Sequence, residues 1–188
     1  MRLSIACDLS HRQRHELEVL QRHLAGYLSG VRWVKPQEMH LTIFFLGETA
    51  EDLISRVSDT VQSVSKVERA FIMKLSGCGV FPDASRTKVI WVGVKEGKEE
   101  LRNLKTKLDL NLSGLGFEPE KCRYQPHLTL GRLRYPLERE IIGRFLFENA
   151  SFQSSSVTVE NLVLYESRLI SHGAYYNPLV KFKLKNGV

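Results

Sequence analysis

The sequence is poor in cysteine and has no long apolar run. Its three cysteines, Cys7, Cys78 and Cys122, are an odd number without a C-x-x-C spacing, which argues against a disulfide framework and against a zinc knuckle. No segment approaches the roughly 20 apolar residues of a transmembrane helix, and residues 1–10 lack the apolar region of a signal peptide. We therefore expect a cytoplasmic protein with reduced thiols and no membrane association.

A strongly charged tail is also absent. The 188 residues include 27 Lys or Arg and 21 Asp or Glu, a formal net charge of 27 − 21 = +6 that is spread over both halves of the chain. With 43% hydrophobic and 26% charged residues, the composition is that of one globular domain and excludes disordered and collagen-like proteins. The basic balance is compatible with a phosphate-bearing partner, but it is also common in proteins that bind no nucleic acid.

Apolar periodicity predicts strands and helices that are intermixed along the whole chain. Strands are predicted at residues 3–9, 31–34, 40–46, 70–75, 87–94, 126–133, 157–167 and 175–184, and helices at 11–29, 52–67, 99–112 and 138–147. Ser10 and Gln13 form a capping-box pattern before the first helix, and a loop is predicted over residues 77–86. No linker divides the chain, so we expect an α+β fold of two small lobes that share one core.

One short pattern occurs twice, as His40-Leu41-Thr42-Ile43 and as His127-Leu128-Thr129-Leu130. Both copies lie in predicted strands, where residues i and i+2 point to one face and residue i+1 to the other. Each copy therefore presents an imidazole and a hydroxyl together and buries a leucine behind them. Two such strands that face one cleft would supply two of each group.

Two histidines and two threonines suit the hydrolysis of a phosphodiester. Near neutral pH one imidazole can be protonated and act as the acid while the other is neutral and acts as the base; from the spacing alone, either histidine could take either role. Threonine hydroxyls can donate hydrogen bonds to phosphate oxygens. This chemistry fits a strained cyclic phosphodiester and needs no metal or cofactor. For a single copy, an ordinary hydrogen-bonded strand histidine would be the simpler interpretation, but the repeat favours a shared catalytic site.

A zinc site is the main alternative use of these histidines. His172, in the sequence Ser171-His172-Gly173, could join His40 and His127 as a third ligand. However, neither motif is accompanied by a cysteine or carboxylate at a familiar ligand spacing. We therefore expect no metal site.

With these residues the chain resembles the 2H phosphoesterase superfamily, and within it the RNA 2′,3′-cyclic phosphodiesterases, formerly called 2′-5′ RNA ligases. Besides the two motifs, the resemblance rests on the following segments: residues 2–9, Arg32-Trp33-Val34, Leu46-Gly47, Phe81-Pro82, Trp91-Val92-Gly93-Val94, Leu115-Gly116-Phe117, Pro126 with Arg132, and residues 165–175. It implies a single domain over residues 1–188 with two lobes related by a pseudo-twofold axis. Each lobe would contribute one motif, with antiparallel sheets facing a central cleft and helices outside.

The resemblance also implies roles and a substrate. His40 would be the proton donor to the leaving 3′ oxygen, His127 the proton acceptor that activates water, and Thr42 and Thr129 would bind the phosphate. The substrate would be an RNA or nucleotide end with a 2′,3′-cyclic phosphate, tRNA fragments included, and the product a 2′-phosphate. No cofactor is implied, and we expect a monomer.

Two positions fit the family pattern less well. Phe44 stands where relatives often carry a lysine on the face of His40 and Thr42; it could stack on a base or pack in the core. Arg132 is a candidate phosphate ligand, but strict alternation from His127 places it on the opposite face unless the strand bends.

Contacts to the rest of the substrate are expected from basic and aromatic residues around the cleft. The candidates are Phe81, Arg86 and Lys88, which border the predicted 77–86 loop, and Tyr124 before the second motif; each could equally be an ordinary surface or core residue. Trp91 is assigned to the core.

Two other functions are compatible with the same residues. An acid-base pair that opens a cyclic phosphate can also promote the reverse reaction, the 2′-5′ joining of tRNA halves. Alternatively, the chain could be an RNA-end binding module that has lost catalysis. Turnover of a cyclic phosphate distinguishes hydrolysis from binding alone.

Overall fold

The computed structural model describes residues 1–120, 122–170 and 173–186, and these residues form nine strands and four α-helices. The strands are β1 (Arg2–Cys7), β2 (Val31–Trp33), β3 (Leu41–Glu48), β4 (Phe71–Phe81), β5 (Val89–Glu96), β6 (His127–Leu133), β7 (Gln153–Val159), β8 (Asn161–Ile170) and β9 (Gly173–Lys183). The helices are α1 (His11–Ala25), α2 (Leu53–Val67), α3 (Lys98–Ser113) and α4 (Arg139–Glu148). None of these helices is long and apolar enough to cross a membrane.

The described strands form two antiparallel sheets. The first sheet has the order β3-β1-β8-β9 and the second the order β2-β6-β5-β4-β7. Apart from β2, the two orders correspond: in each sheet the strand with a His-x-Thr motif, β3 or β6, lies beside a central strand, β1 or β5. The predicted α+β fold with two antiparallel sheets is therefore confirmed, and the internal duplication is visible in the topology.

Helices α1 and α3 each pack against the sheet that does not contain the strand before them. Helix α1 follows β1 of the first sheet but packs against β7 of the second, whereas α3 follows β5 of the second sheet but packs against β3 of the first. Helix α2 also covers the first sheet, at β8 and β9, and α4 contacts β4. Leu3, Leu17, Leu101 and Phe145, each fully buried, belong to one continuous core. Because burial of this apolar surface is the main stabilising contribution, both sheets are stabilised by the same core.

Most predicted elements are present, and two need correction. The expected 77–86 loop is too long, because β4 continues to Phe81; Gly77, with φ of 67°, forms a bulge within the strand and does not end it. The single strand predicted over residues 157–167 is the end of β7 and the start of β8, which are interrupted at Glu160. The capping box is confirmed: the Gln13 backbone N–H donates to Ser10 Oγ at 3.1 Å, and the Ser10 N–H to Gln13 Oε1.

Candidate active site

The two motif histidines are held in the same way. His40 directly precedes β3 and His127 begins β6. His40 Nδ1 lies 2.8 Å from the carbonyl oxygen of Glu38, and His127 Nδ1 lies 2.7 Å from that of Gln125, in each case two residues back along the chain. A carbonyl oxygen only accepts, so each Nδ1 is the protonated nitrogen and donates. In the neutral ring, each Nε2 is then free to accept a proton.

The motif leucines confirm the predicted alternation at the start of each motif. Leu41 and Leu128 are fully buried in the core, whereas Thr42 and Thr129 are half-buried on the other side. We call the sheet side that carries the histidine and threonine the motif face. On it, each sheet presents an imidazole and a hydroxyl from a rigid strand.

Two tyrosines from distant strands surround His40. The Tyr165 ring stacks on the imidazole at 4.9 Å between centroids and 21° between planes, and Tyr176 meets it edge-on at 4.4 Å. Burial raises the pKa of Tyr165, so its hydroxyl stays protonated and donates to Asp8. Burial also lowers the pKa of His40 from 6.5 to about 4. His40 is therefore neutral at pH 7 in the free protein.

His127 has a comparable aromatic wall. Phe81 meets its ring edge-on at 4.8 Å, and Trp91 lies 6.0 Å away. Burial lowers the pKa of His127, and the charge of Arg132 lowers it further. The assignment of Trp91 to the core is wrong, because Trp91 lies directly opposite Thr129 and shares the motif face. Phe81, a predicted substrate contact, packs directly against the His127 ring.

Strand β3 contains a β-bulge directly after its threonine. The register with β1 skips Ile43, between Thr42 and Phe44, and an extra residue shifts the alternation by one position. Phe44 consequently points into the core, where it is 3% exposed and its ring centroid lies 4.5 Å from Lys105 Nζ. Phe45, 45% exposed, takes its place on the motif face. The expectation that Phe44 shares a face with His40 and Thr42 is therefore wrong. Phe44 packs in the core, and its ring is not available to a substrate.

Strand β6 has a bulge at the corresponding position. The register with β5 skips Leu130, between Thr129 and Gly131. Arg132 thereby moves onto the motif face, where it lies opposite Val89 of β5. The bulge is the bend that a phosphate-binding role of Arg132 required, and strict alternation did not predict it.

Tyr124 connects the two motifs. Its hydroxyl donates to the backbone carbonyl of Thr42 at 2.9 Å, although Tyr124 precedes the second motif and Thr42 belongs to the first. Strands β3 and β6 are themselves in contact. The two motifs are thus brought together in space, and Tyr124, a predicted substrate contact, holds them there with its hydroxyl.

The remaining candidates lie at the edge of this region. Arg86 is exposed in the turn between β4 and β5, where its guanidinium pairs with Asp83 at 3.1 Å. Lys88 is exposed, and its backbone N–H donates to the Phe81 carbonyl at 2.7 Å. His172, which the sequence argued against as a zinc ligand, lies outside the described residues.

Gly79 makes room for the Trp91 ring. A Cβ at Gly79 would lie 2.2 Å from Trp91 Cη2, so Gly79→Ala must displace the indole beside His127. We expect a loss of about 1–3 kcal/mol of unfolding free energy, measured by urea denaturation. Gly143→Ala on α4 is the matched control: its Cβ would meet nothing within 4 Å, and the gain in helix propensity should stabilise the protein by about 0.5–1 kcal/mol. Equal effects of the two substitutions would contradict this packing.

The low pKa of His40 predicts a pH dependence of stability. Since the pKa is about 4 in the folded protein and 6.5 otherwise, the unfolded chain takes up the proton first as the pH falls. The contribution of neutral His40 to the unfolding free energy is therefore fully present above pH 6.5, and it is lost as the pH falls from 6.5 to about 4. Between pH 7 and about pH 4.5, the wild type should lose about 2 kcal/mol more unfolding free energy than His40→Gln. The exposed-site control His11→Gln should behave like the wild type, and parallel curves for His40→Gln and the wild type would contradict the prediction.

Comparisons with known proteins agree with this duplicated architecture. The family model described as LigT like phosphoesterase matches residues 8–91 and again residues 92–176, so each match contains one motif. The RNA 2′,3′-cyclic phosphodiesterase of Methanothermobacter thermautotrophicus is 30% identical over 184 residues, which cover 98% of this chain and 99% of that protein. The protein of the same name from Archaeoglobus fulgidus is 31% identical over 185 residues, 97% of this chain and 100% of the relative.

Solved structures show the same fold. TT0787 of Thermus thermophilus superimposes with a TM-score of 0.84 at 25% identity and covers 99% of both chains. E. coli LigT, solved with 3′-AMP, gives a TM-score of 0.76 at 23% identity over 97% of both chains. With both halves matched by the family model and relatives aligned over nearly the whole length, the chain belongs to the LigT-like phosphoesterase family.

Proposed function

We propose that this protein hydrolyses 2′,3′-cyclic phosphate ends of RNA to 2′-phosphomonoesters without a metal, using His40 and His127 as its acid-base pair. The relatives named RNA 2′,3′-cyclic phosphodiesterase support the substrate class. The observation that carries the chemistry is the matched environment of the two imidazoles. Each has Nδ1 tied to a carbonyl oxygen, which leaves Nε2 for proton transfer beside a threonine.

The reaction follows from these groups. The neutral imidazole takes a proton from water, whose oxygen forms a new bond to phosphorus. The bond from phosphorus to the 3′ oxygen breaks, and the protonated imidazole supplies the proton that this oxygen needs. Thr42, Thr129 and Arg132 would stabilise the charge on the non-bridging oxygens, because a hydroxyl or guanidinium donates to them directly.

The family resemblance assigns His40 as the donor and His127 as the acceptor. In the free protein, burial lowers the pKa of both histidines, so neither is the ready acid at pH 7. A cyclic phosphate is an anion, and an opposite charge nearby favours the protonated imidazole. We infer that the bound substrate itself raises the pKa of His40. His40 then takes up a proton from solvent and donates it to the leaving oxygen.

The test is turnover of a short RNA with a 2′,3′-cyclic phosphate in the presence of EDTA. The product is identified by mass and by sensitivity to phosphatase. We expect a 2′-phosphate end and no effect of the chelator. A 3′-phosphate product would contradict the assigned leaving oxygen, and inhibition by EDTA would contradict a metal-free reaction. Binding of the RNA without turnover would support a binding module instead.

A further inference from the structure

Two arginines lie directly opposite each other at the end of the second sheet. Arg32 of β2 is paired with Arg132 of β6, and residues opposite each other in an antiparallel pair project to the same face. Because the bulge at Leu130 places Arg132 on the motif face, Arg32 lies there as well. Both side chains are exposed, three residues beyond Thr129 along β6.

Like charges directly opposite each other destabilise a sheet. In the described part of the chain, the arginines that form ion pairs are Arg12, Arg14, Arg86, Arg102, Arg144 and Arg168. Arg32 and Arg132 are not among them. Within the described residues, no carboxylate is therefore paired with either arginine to offset their repulsion. A bound anion would relieve it.

The strand that carries Arg32 cannot slip to separate the charges. The buried Gln21 amide donates to the carbonyl oxygens of Val34 and Leu130, both at 2.8 Å, and so fastens β2 to β6. At Gly131, a Cβ would lie 3.2 Å from the backbone carbonyl oxygen of Arg32, so the two backbones are closely packed. The two guanidiniums are thus presented in a fixed register.

We propose that Arg32 forms a second anion site, which binds the phosphodiester that precedes the terminal nucleotide of an RNA, while Arg132 opposite it stays on the reacting phosphate. The choice of ligand rests on the proposed function: from a cyclic end, the RNA continues only in the 5′ direction, with one phosphate per nucleotide. Guanidinium groups bind phosphate oxygens in a bidentate fork. Arg132 lies on the motif face, three residues beyond Thr129 along β6, so the pair adjoins the reacting phosphate. The site favours oligonucleotide ends over cyclic mononucleotides.

The test compares binding of two dinucleotides that end in a 2′-phosphate and are not turned over. One has an ordinary phosphodiester linkage and the other a neutral methylphosphonate. The wild type should bind the charged form about tenfold more tightly, and Arg32→Gln should reduce this preference to less than about twofold. Arg56→Gln, which removes the same charge from an exposed position on α2, is the matched control and should keep the preference.

A structural role for Arg32 makes different predictions. If the pair only supports the sheet, Arg32→Gln should lower the melting temperature; if the site is for an anion, the melting temperature without ligand should stay equal or rise. A preference that persists in Arg32→Gln, or that is absent in the wild type, overturns the proposal. Turnover of the cyclic form is measured separately, so loss of the proposed activity would leave this binding result intact.

Discussion

Replacing either His40 or His127 with alanine is expected to lower kcat for an RNA 2′,3′-cyclic phosphate by about 10³-fold. Each substitution removes one of the two proposed proton-transfer groups, and the backbone carbonyl that orients it cannot substitute for it. Binding of the RNA should change much less, because the threonines and arginines remain. Single-turnover rates and the dissociation constant of the 2′-phosphate product separate these two effects.

The double variant provides a further check. In the proposed mechanism the two histidines act as a unit, so removing both should lower kcat little more than removing one. His11→Ala, an exposed histidine on α1, serves as the control and should keep wild-type turnover. Retention of more than about a tenth of the activity in either single variant would contradict a two-histidine mechanism.

The placement of the motifs could be predicted because it depends on local alternation. A strand buries every second residue, so Leu41 and Leu128 had to face the core if His40 and His127 did not. Both leucines are fully buried. The repeat therefore sufficed to identify the four polar groups on the motif face.

Alternation fails after the threonines because the bulges at Ile43 and Leu130 are set by the neighbouring strands. Whether a strand has an extra residue depends on its register with β1 or β5, which a single strand's sequence does not contain. The consequences are opposite for two candidate residues: Phe44 leaves the motif face, and Arg132 joins it. Both bulges follow a motif at the same position, so the internal repeat extends beyond the four residues that reveal it.

The aromatic surroundings of the histidines could not be predicted for a related reason. Tyr165 and Tyr176 reach His40 from β8 and β9, which are far away in sequence and adjacent only through the sheet order. Trp91 reads as a core residue in an apolar strand. Its actual position depends on Gly79 in the neighbouring strand, whose missing side chain admits the indole.

A pH-rate profile alone will not assign the acid and the base. In the proposed mechanism the reactive protein carries one proton on its two histidines, and either placement of that proton gives the same bell-shaped curve. Burial lowers the pKa of both groups. The fall of kcat/KM with rising pH, which follows loss of the last proton from the pair, is therefore expected to begin below pH 6.5 in either case. The assignment needs a substrate in which one of the two proton transfers is unnecessary.

An aryl phosphodiester such as bis(para-nitrophenyl) phosphate is expected to separate the two roles. Its leaving group departs as a stable anion and needs no proton, so a missing general acid costs little. With His40 as the donor, His40→Ala should hydrolyse this substrate within about tenfold of the wild-type rate, whereas His127→Ala should remain about 10³-fold slower. Release of para-nitrophenolate is followed by absorbance.

The opposite pattern, with His127→Ala nearly active and His40→Ala inactive, would reverse the roles. That result would mean that His40 acts as the base. Its burial, which lowers its pKa to about 4, would then serve this role, because the imidazole stays neutral and able to accept a proton at any pH above about 4. The expected pattern instead requires the charge of the bound phosphate to raise the pKa of His40, so that this imidazole takes up a proton from solvent. Comparing the two alanine variants on the cyclic phosphate and on the aryl phosphodiester thus tests whether the negative charge of the substrate keeps the proton donor protonated.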